Sequence, residues 1–131
     1  MNLLIRKNES SQTKLAYPVR VADSYLSRLK GLMFKKYIKE GLVLRVPKSK
    51  SSTRSAIHTS FMLISIDVLF VNEDNIIHDM VSIKPWNVYK PNGPSKYVIE
   101  IENGLINKHK IAIGDEIHFE GSLKSILTVI I

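Results

Sequence analysis

A histidine, a threonine and an aspartate stand on or beside two apolar segments, Ile57-His58-Thr59-Ser60-Phe61-Met62 and Ile66-Asp67-Val68-Leu69-Phe70-Val71. Burying such a group unpaired costs roughly 1–3 kcal/mol, so each needs a partner or a task. Read as cross-strand neighbours, His58 and Asp67 form an imidazole oriented by a carboxylate, the usual general-base arrangement. That makes them the catalytic candidates of an acid–base hydrolase or lyase. The structural alternative has Asp67 accepting backbone N–H groups in a turn and His58 half-buried and satisfied. Buried polar groups mostly find structural partners, which favours this alternative. No serine or threonine has the surroundings of a nucleophile elbow, and the chain has no cysteine.

Lys84-Pro85-Trp86 carries the sole tryptophan, in a loop between prolines with Tyr89 nearby. An aromatic held this way is a stacking platform for a sugar or a base, or an interface anchor. The competing reading is a tryptophan lid over the core, since large aromatics dominate burial. His58, His78, His109 and His118 are too scattered for paired metal ligation, so neither a metal nor another cofactor is expected. His78, beside Asp79, and His109, in a basic stretch, read as solvent-facing.

The 131 residues, 44% apolar and 24% charged, suit a single soluble globular domain. No apolar run approaches the ~20 residues that span a bilayer. The start, Met1 to Lys7, reads as a first strand rather than a signal peptide, so a cytoplasmic location is expected. The net charge of +7 is uneven. Residues 1–54 hold thirteen Lys/Arg against three acids, and residues 55–131 hold six against nine. The basic half, with Lys35, Lys36, Lys39, Lys48, Lys50 and Arg54, makes nucleic acid an alternative partner. A solvated lysine face explains the same residues, and no nucleic-acid-binding signature or glycine-rich phosphate loop is present.

Strands are predicted over 3–6, 14–21, 41–46, 55–63, 66–71, 76–83, 97–101, 116–120 and 126–131. Pro18 argues that the second is an edge strand. Asp23 reads as the N-cap of the main helix, 24–34, with Tyr25, Leu26, Leu29, Leu32 and Met33 at helical spacing. Residues 47–54 and 84–94 read as irregular, Asn72-Glu73-Asp74-Asn75 as a hairpin turn, and 102–110 as holding one or two helical turns. The expected fold is mainly β (α+β): a compact antiparallel barrel or sandwich-like sheet with one main helix packed on it.

The ordered motifs resemble those of the domain of unknown function 192 family, also called uncharacterised protein family 0127, over about residues 20–121. The resemblance rests on Arg28-Leu29-Lys30-Gly31-Leu32-Met33, His58-Thr59-Ser60-Phe61-Met62, Ile66-Asp67-Val68-Leu69-Phe70, Lys84-Pro85-Trp86, Tyr97-Val98-Ile99-Glu100-Ile101, Gly104 and Ile113-Gly114-Asp115. It implies a compact, mainly β fold with a packed helix and no established activity. Polar residues at the matching positions are Arg28, His58, Thr59, Asp67, Lys84, Trp86, Glu100 and Asp115. The favoured expectation is a binding module, not an enzyme, for a polar or anionic small ligand of a sugar-like kind. Its pocket would be walled by His58, Asp67 and Trp86, with Thr59 beside them and Arg28 and Lys84 at the rim.

Overall fold

The structure, a computed structural model, describes residues 1–8, 10, 12–22, 36–46, 57–60 and 62–121. The main helix expected over 24–34, the loop at 47–54 and the strand at 126–131 fall outside these residues.

The expectation of a mainly β fold holds. The described strands are β1 (Asn2–Arg6), β2 (Thr13–Ala22), β3 (Gly41–Arg45), β4 (Ile57–His58), β5 (Ile66–Val71), β6 (Ile77–Ile83), β7 (Val88–Tyr89), β8 (Tyr97–Glu102) and β9 (Glu116–Glu120), with one short helix, α1 (Leu105–Lys108). Seven strands form one sheet in the order β6-β5-β8-β3-β2-β1-β9, and β4 and β7 form a small pair. Only β2 and β3 run parallel within the large sheet; its other neighbours are antiparallel. The sheet curls into a half-barrel. At one end Ile76 bridges Glu116, the Ile77 N–H donates to the Asp115 carbonyl, and the Ile117 N–H donates to the Asn75 carbonyl.

Strand β5 is buried along its whole length because both of its faces are covered. A strand's side chains alternate between faces, so Ile66, Val68 and Phe70 point one way and Asp67, Leu69 and Val71 the other. The two sets enter different cores. Leu69 and Val71 join Leu3, Ile5, Val43, Ile99 and Leu105 within the curl. Ile66, Val68 and Phe70 join Val46, Met62, Ile83 and Val98 on the opposite face.

The expected hairpin turn is present and has a local cause. The Asn72 carboxamide oxygen accepts the N–H groups of Asp74 (2.9 Å) and Ile76 (3.1 Å). Asn75 then takes φ 60°, a conformation asparagine tolerates.

Three expectations change in detail. Strand β2 lies between β1 and β3 and is no edge strand. Pro18 is tolerated because its β1 partner, Asn2, is the last on that side, and pairing with β3 begins one residue later at Val19. Of the strand expected over 55–63, the described residues place Ile57–His58 in β4 and end it before Thr59, whose carbonyl accepts the Met62 N–H (3.1 Å). The irregular 84–94 stretch contains β7, which exists by pairing with β4.

Gly41 is required by close approach. A Cβ there would lie 3.0 Å from the Glu100 carbonyl oxygen, 3.0 Å from Val19 Cγ1 and 3.2 Å from Tyr17 Cε1. Gly41→Ala is expected to cost about 1–3 kcal/mol in urea unfolding, because the nearest obstacle is backbone. An unchanged midpoint would show that β3 can shift away from β8.

Candidate functional site

The β4–β7 pair sets His58 opposite Val88 and Ile57 opposite Tyr89. Ile57 and Tyr89 turn inward onto the second core, with the Tyr89 ring 5.7 Å from that of Phe70. His58 and Val88 turn outward, and Val88 is 73% exposed.

Thr59, fully buried, ties the following loop to this pair. Its hydroxyl donates to the Lys84 carbonyl (2.6 Å) and accepts the Asn87 N–H (2.9 Å). Its carbonyl accepts the Trp86 N–H (3.0 Å), and its N–H donates to the Asn87 carbonyl (2.9 Å). The Asn87 side-chain amide donates to the carbonyls of Lys84 and Pro85. This lattice holds Trp86 at φ 62°, a region where a bulky residue is an outlier. Strain of this kind persists only where the surroundings over-determine it. The indole stands 64% exposed and Lys84 is exposed beside it in sequence. The lid reading of Trp86 therefore gives way to an outward-facing aromatic on a clamped loop.

Asp67 occupies a different place. It is fully buried, and its oxygens accept Ser82 Oγ (2.6 Å), Asn103 Nδ2 (3.1 Å), Gly104 N–H (3.1 Å) and Ile106 N–H (2.9 Å). Four donors fill the usual capacity of a carboxylate. Helix α1 starts from Gly104 in the left-handed region (φ 97°) with no side-chain cap from its own segment. Asp67 supplies the acceptor from across the sheet.

The pairing of His58 with Asp67 is thereby corrected. Asp67 lies opposite Ser82 and Ile101, while His58 lies opposite Val88. Asp67 also shares the strand face of Leu69, whereas β4 and β7 pack on the Phe70 face. No hydrogen bond joins the two among the described residues. His58, Thr59, Lys84 and Trp86 share one corner of the molecule, Asp67 is not part of it, and Arg28 falls outside the described residues.

The sequence reading missed a denser polar cluster. His78 is half-buried, not solvent-facing. Its Nδ1 lies 2.7 Å from Asn92 Oδ1 and its Nε2 lies 2.8 Å from Ser95 Oγ. The neighbouring Asp79 carboxylate accepts the Tyr89 hydroxyl (2.9 Å), the Asn92 N–H (2.9 Å) and the Met80 N–H (2.8 Å). Burial, reinforced by Asp79, pushes the Tyr89 hydroxyl above its ordinary range. His109, also half-buried, has Nδ1 at 3.1 Å from the Lys14 carbonyl oxygen. Single histidines and serines carry no pairwise signal along a chain, so only the folded loop reveals these contacts. No group of three or more His, Asp or Glu residues is placed to hold a metal among the described residues.

Glu100 stands between Leu42 and Val68 in neighbouring strands, both fully buried. Burial pushes its carboxyl up to about 7, partly opposed by the Arg20 guanidinium.

A curled half-barrel carrying an outward aromatic corner defines the type of fold. The family model described as "DUF192: Uncharacterized ACR" matches residues 6–119. A UPF0127 protein of Thermococcus sibiricus is 38% identical over 102 residues, covering 78% of this chain and 66% of its own length. One from Pyrococcus horikoshii is 39% identical over 110 residues, covering 84% of this chain and 94% of its own length. A crystal structure of a protein of unknown function from Novosphingobium aromaticivorans has the same fold, with TM-score 0.77 at 20% identity over 91% of this chain and 84% of that one. The chain belongs to the DUF192 family, whose curated members carry the name UPF0127. No helix among the described residues is long and apolar enough to cross a membrane.

Asp67→Ala leaves buried donors unpaired and is expected to lower stability by about 2–4 kcal/mol, with Asp67→Asn close behind. His58→Ala should stay within about 0.5 kcal/mol. Urea unfolding of the three variants checks this, and equal losses for His58 and Asp67 would contradict it. Glu100 gives a pH dependence of defined sign. Its native carboxyl keeps a proton up to about 7, whereas the unfolded one releases it near 4.5. The native state therefore binds more protons between these values, and stability falls as pH rises through that window. The loss should be about 3 kcal/mol at most, and Glu100→Gln should flatten it.

Proposed function

We propose that this protein is a binding module for a polar or anionic small molecule, of a sugar-like kind, held at the β4–β7 corner. One observation carries the reading: the Thr59 hydrogen bonds hold Trp86 at a positive φ with its indole exposed. Ordering a mobile aromatic on binding costs free energy, and this loop has met that cost before the ligand arrives. The indole offers a flat apolar face to a ring, the Lys84 ammonium an ion pair to an anionic substituent, and His58 a polar contact. Thr59 acts from beneath as a positioning residue. Asp67, capping α1 on the other face of β5, serves the scaffold instead of the ligand.

Trp86 is the sole tryptophan, so its fluorescence reports on the corner alone. Titration with neutral sugars, sugar phosphates and nucleoside monophosphates should give saturable quenching by at least one class. Lys84→Ala should weaken the anionic ligands selectively, by roughly two- to fivefold, which is the scale of one exposed ion pair. Trp86→Ala should abolish the ligand-induced rise in melting temperature. Flat titrations across all three classes would remove this reading.

A further inference from the structure

Apart from the β4–β7 corner, two side chains of one loop, Asn92 and Ser95, meet His78 of β6 in a hydrogen-bonded line. Their chemistry follows from which atoms can donate. The Asn92 amide nitrogen Nδ2 donates to the backbone carbonyl of His78 (2.9 Å). The amide oxygen Oδ1 therefore faces the ring, 2.7 Å from Nδ1. A flipped amide would set oxygen against that carbonyl. Since Oδ1 only accepts, Nδ1 carries the ring hydrogen. In the neutral imidazole, Nε2 is then left with its lone pair towards Ser95 Oγ, 2.8 Å away, and the hydroxyl donates to it. A serine hydroxyl donating to Nε2 of an imidazole whose Nδ1–H is held by a side-chain acceptor is the arrangement of an activated nucleophile.

The surroundings supply two further requirements. Asn92 is itself held, because the Asp79 carboxylate accepts its N–H at 2.9 Å. In the loop, the N–H groups of Gly93 and Ser95 are committed to no hydrogen bond among the described residues. Serine proteases build their oxyanion hole from this pair of positions, the nucleophile's own N–H and that of a glycine two residues earlier. A Cβ on Gly93 would meet nothing within 4 Å, so the backbone at Gly93 itself is open to an approaching group. Ser95 is only 2% exposed, which restricts the acyl donor to a small one entering beside Gly93.

We propose that Ser95, His78 and Asn92 form an acyl-transfer centre that hydrolyses small esters, with Ser95 as nucleophile, His78 as general base and Asn92 as the residue that positions the imidazole. Ser95 Oγ bonds to the ester carbonyl carbon while its proton passes to His78 Nε2. The carbonyl oxygen takes the electron pair and is met by the N–H groups of Gly93 and Ser95. Collapse breaks the bond to the alcohol oxygen, which leaves with the proton from Nε2. Water then repeats the sequence on the acyl-serine: its proton goes to Nε2 and then to Ser95 Oγ, and the carboxylic acid departs. The net reaction is ester plus water giving acid plus alcohol.

The test uses the full chain with para-nitrophenyl acetate as substrate and a small alkyl fluorophosphonate as covalent probe. Ester turnover should be lost in Ser95→Ala, and peptide mass spectrometry should locate the phosphonyl adduct on Ser95. His78→Gln should slow both reactions by about 10²–10⁴-fold, the usual contribution of a general base. Ser95→Cys provides a readout that a purely structural role would not move, should Ser95→Ala fail to fold. Its thiol should react with iodoacetamide faster than the same thiol in Ser95→Cys combined with His78→Gln. Wild-type protein that is folded yet unlabelled at Ser95 would overturn the proposal, as would labelling or thiol reactivity indifferent to His78.

Discussion

A carboxylate in the interior of an apolar sheet survives only if every lone pair is occupied, and Asp67 meets that condition with four donors. Two of those donors are the backbone N–H groups of Gly104 and Ile106, at the start of a four-residue helix that has no cap of its own. A helix so short cannot hold itself together in water. It exists because β5 reaches it with a charged acceptor and because Leu105 enters the core of the half-barrel. The same carboxylate draws in Ser82 from β6 and Asn103 beyond β8, so one side chain ties the two neighbours of its strand together.

The alternation of β5 divides the molecule's tasks. The Asp67–Leu69–Val71 face closes the interior of the curled sheet, and the Ile66–Val68–Phe70 face supports the short β4–β7 pair. Phe70 is the hinge between core and surface chemistry: its ring contacts Tyr89 at 5.7 Å and His78 at 6.4 Å. Above it, Thr59 fixes an exposed tryptophan and Asp79 fixes the loop that brings Ser95 to His78. Both arrangements use buried polar groups, Thr59 and Asp79, to fix the backbone of a neighbouring loop.

Much of the scaffold could be read along the chain, because its signals are local. The mostly apolar run at 66–71 marked a strand, and Asn72-Glu73-Asp74-Asn75 marked its turn through residues that tolerate the needed dihedrals. That Trp86 lies in a proline-bounded loop was legible for the same reason, but its outward orientation, fixed by Thr59, was not. Where the reading failed, the deciding partner was remote. Pro18 suggested an edge strand, but the answer depended on where β3 begins to pair. His58 and Asp67 looked like partners because nine residues and two apolar segments suggested a hairpin, whereas β4 pairs with β7 some thirty residues further on. His78 seemed a surface residue because nothing near it in sequence says that Asn92 and Ser95 return to its ring.

The sequence by itself determined the fold class and the family, because periodicity, turn chemistry and motif order are properties of neighbouring residues. Tertiary structure alone decided which polar groups are scaffold and which face outward. That assignment depends on strand parity and on register between distant segments: one residue of difference along β5 sends a side chain to the opposite core. It sent Asp67 to the start of α1, and it left Trp86 and Lys84 exposed on the other side of β5.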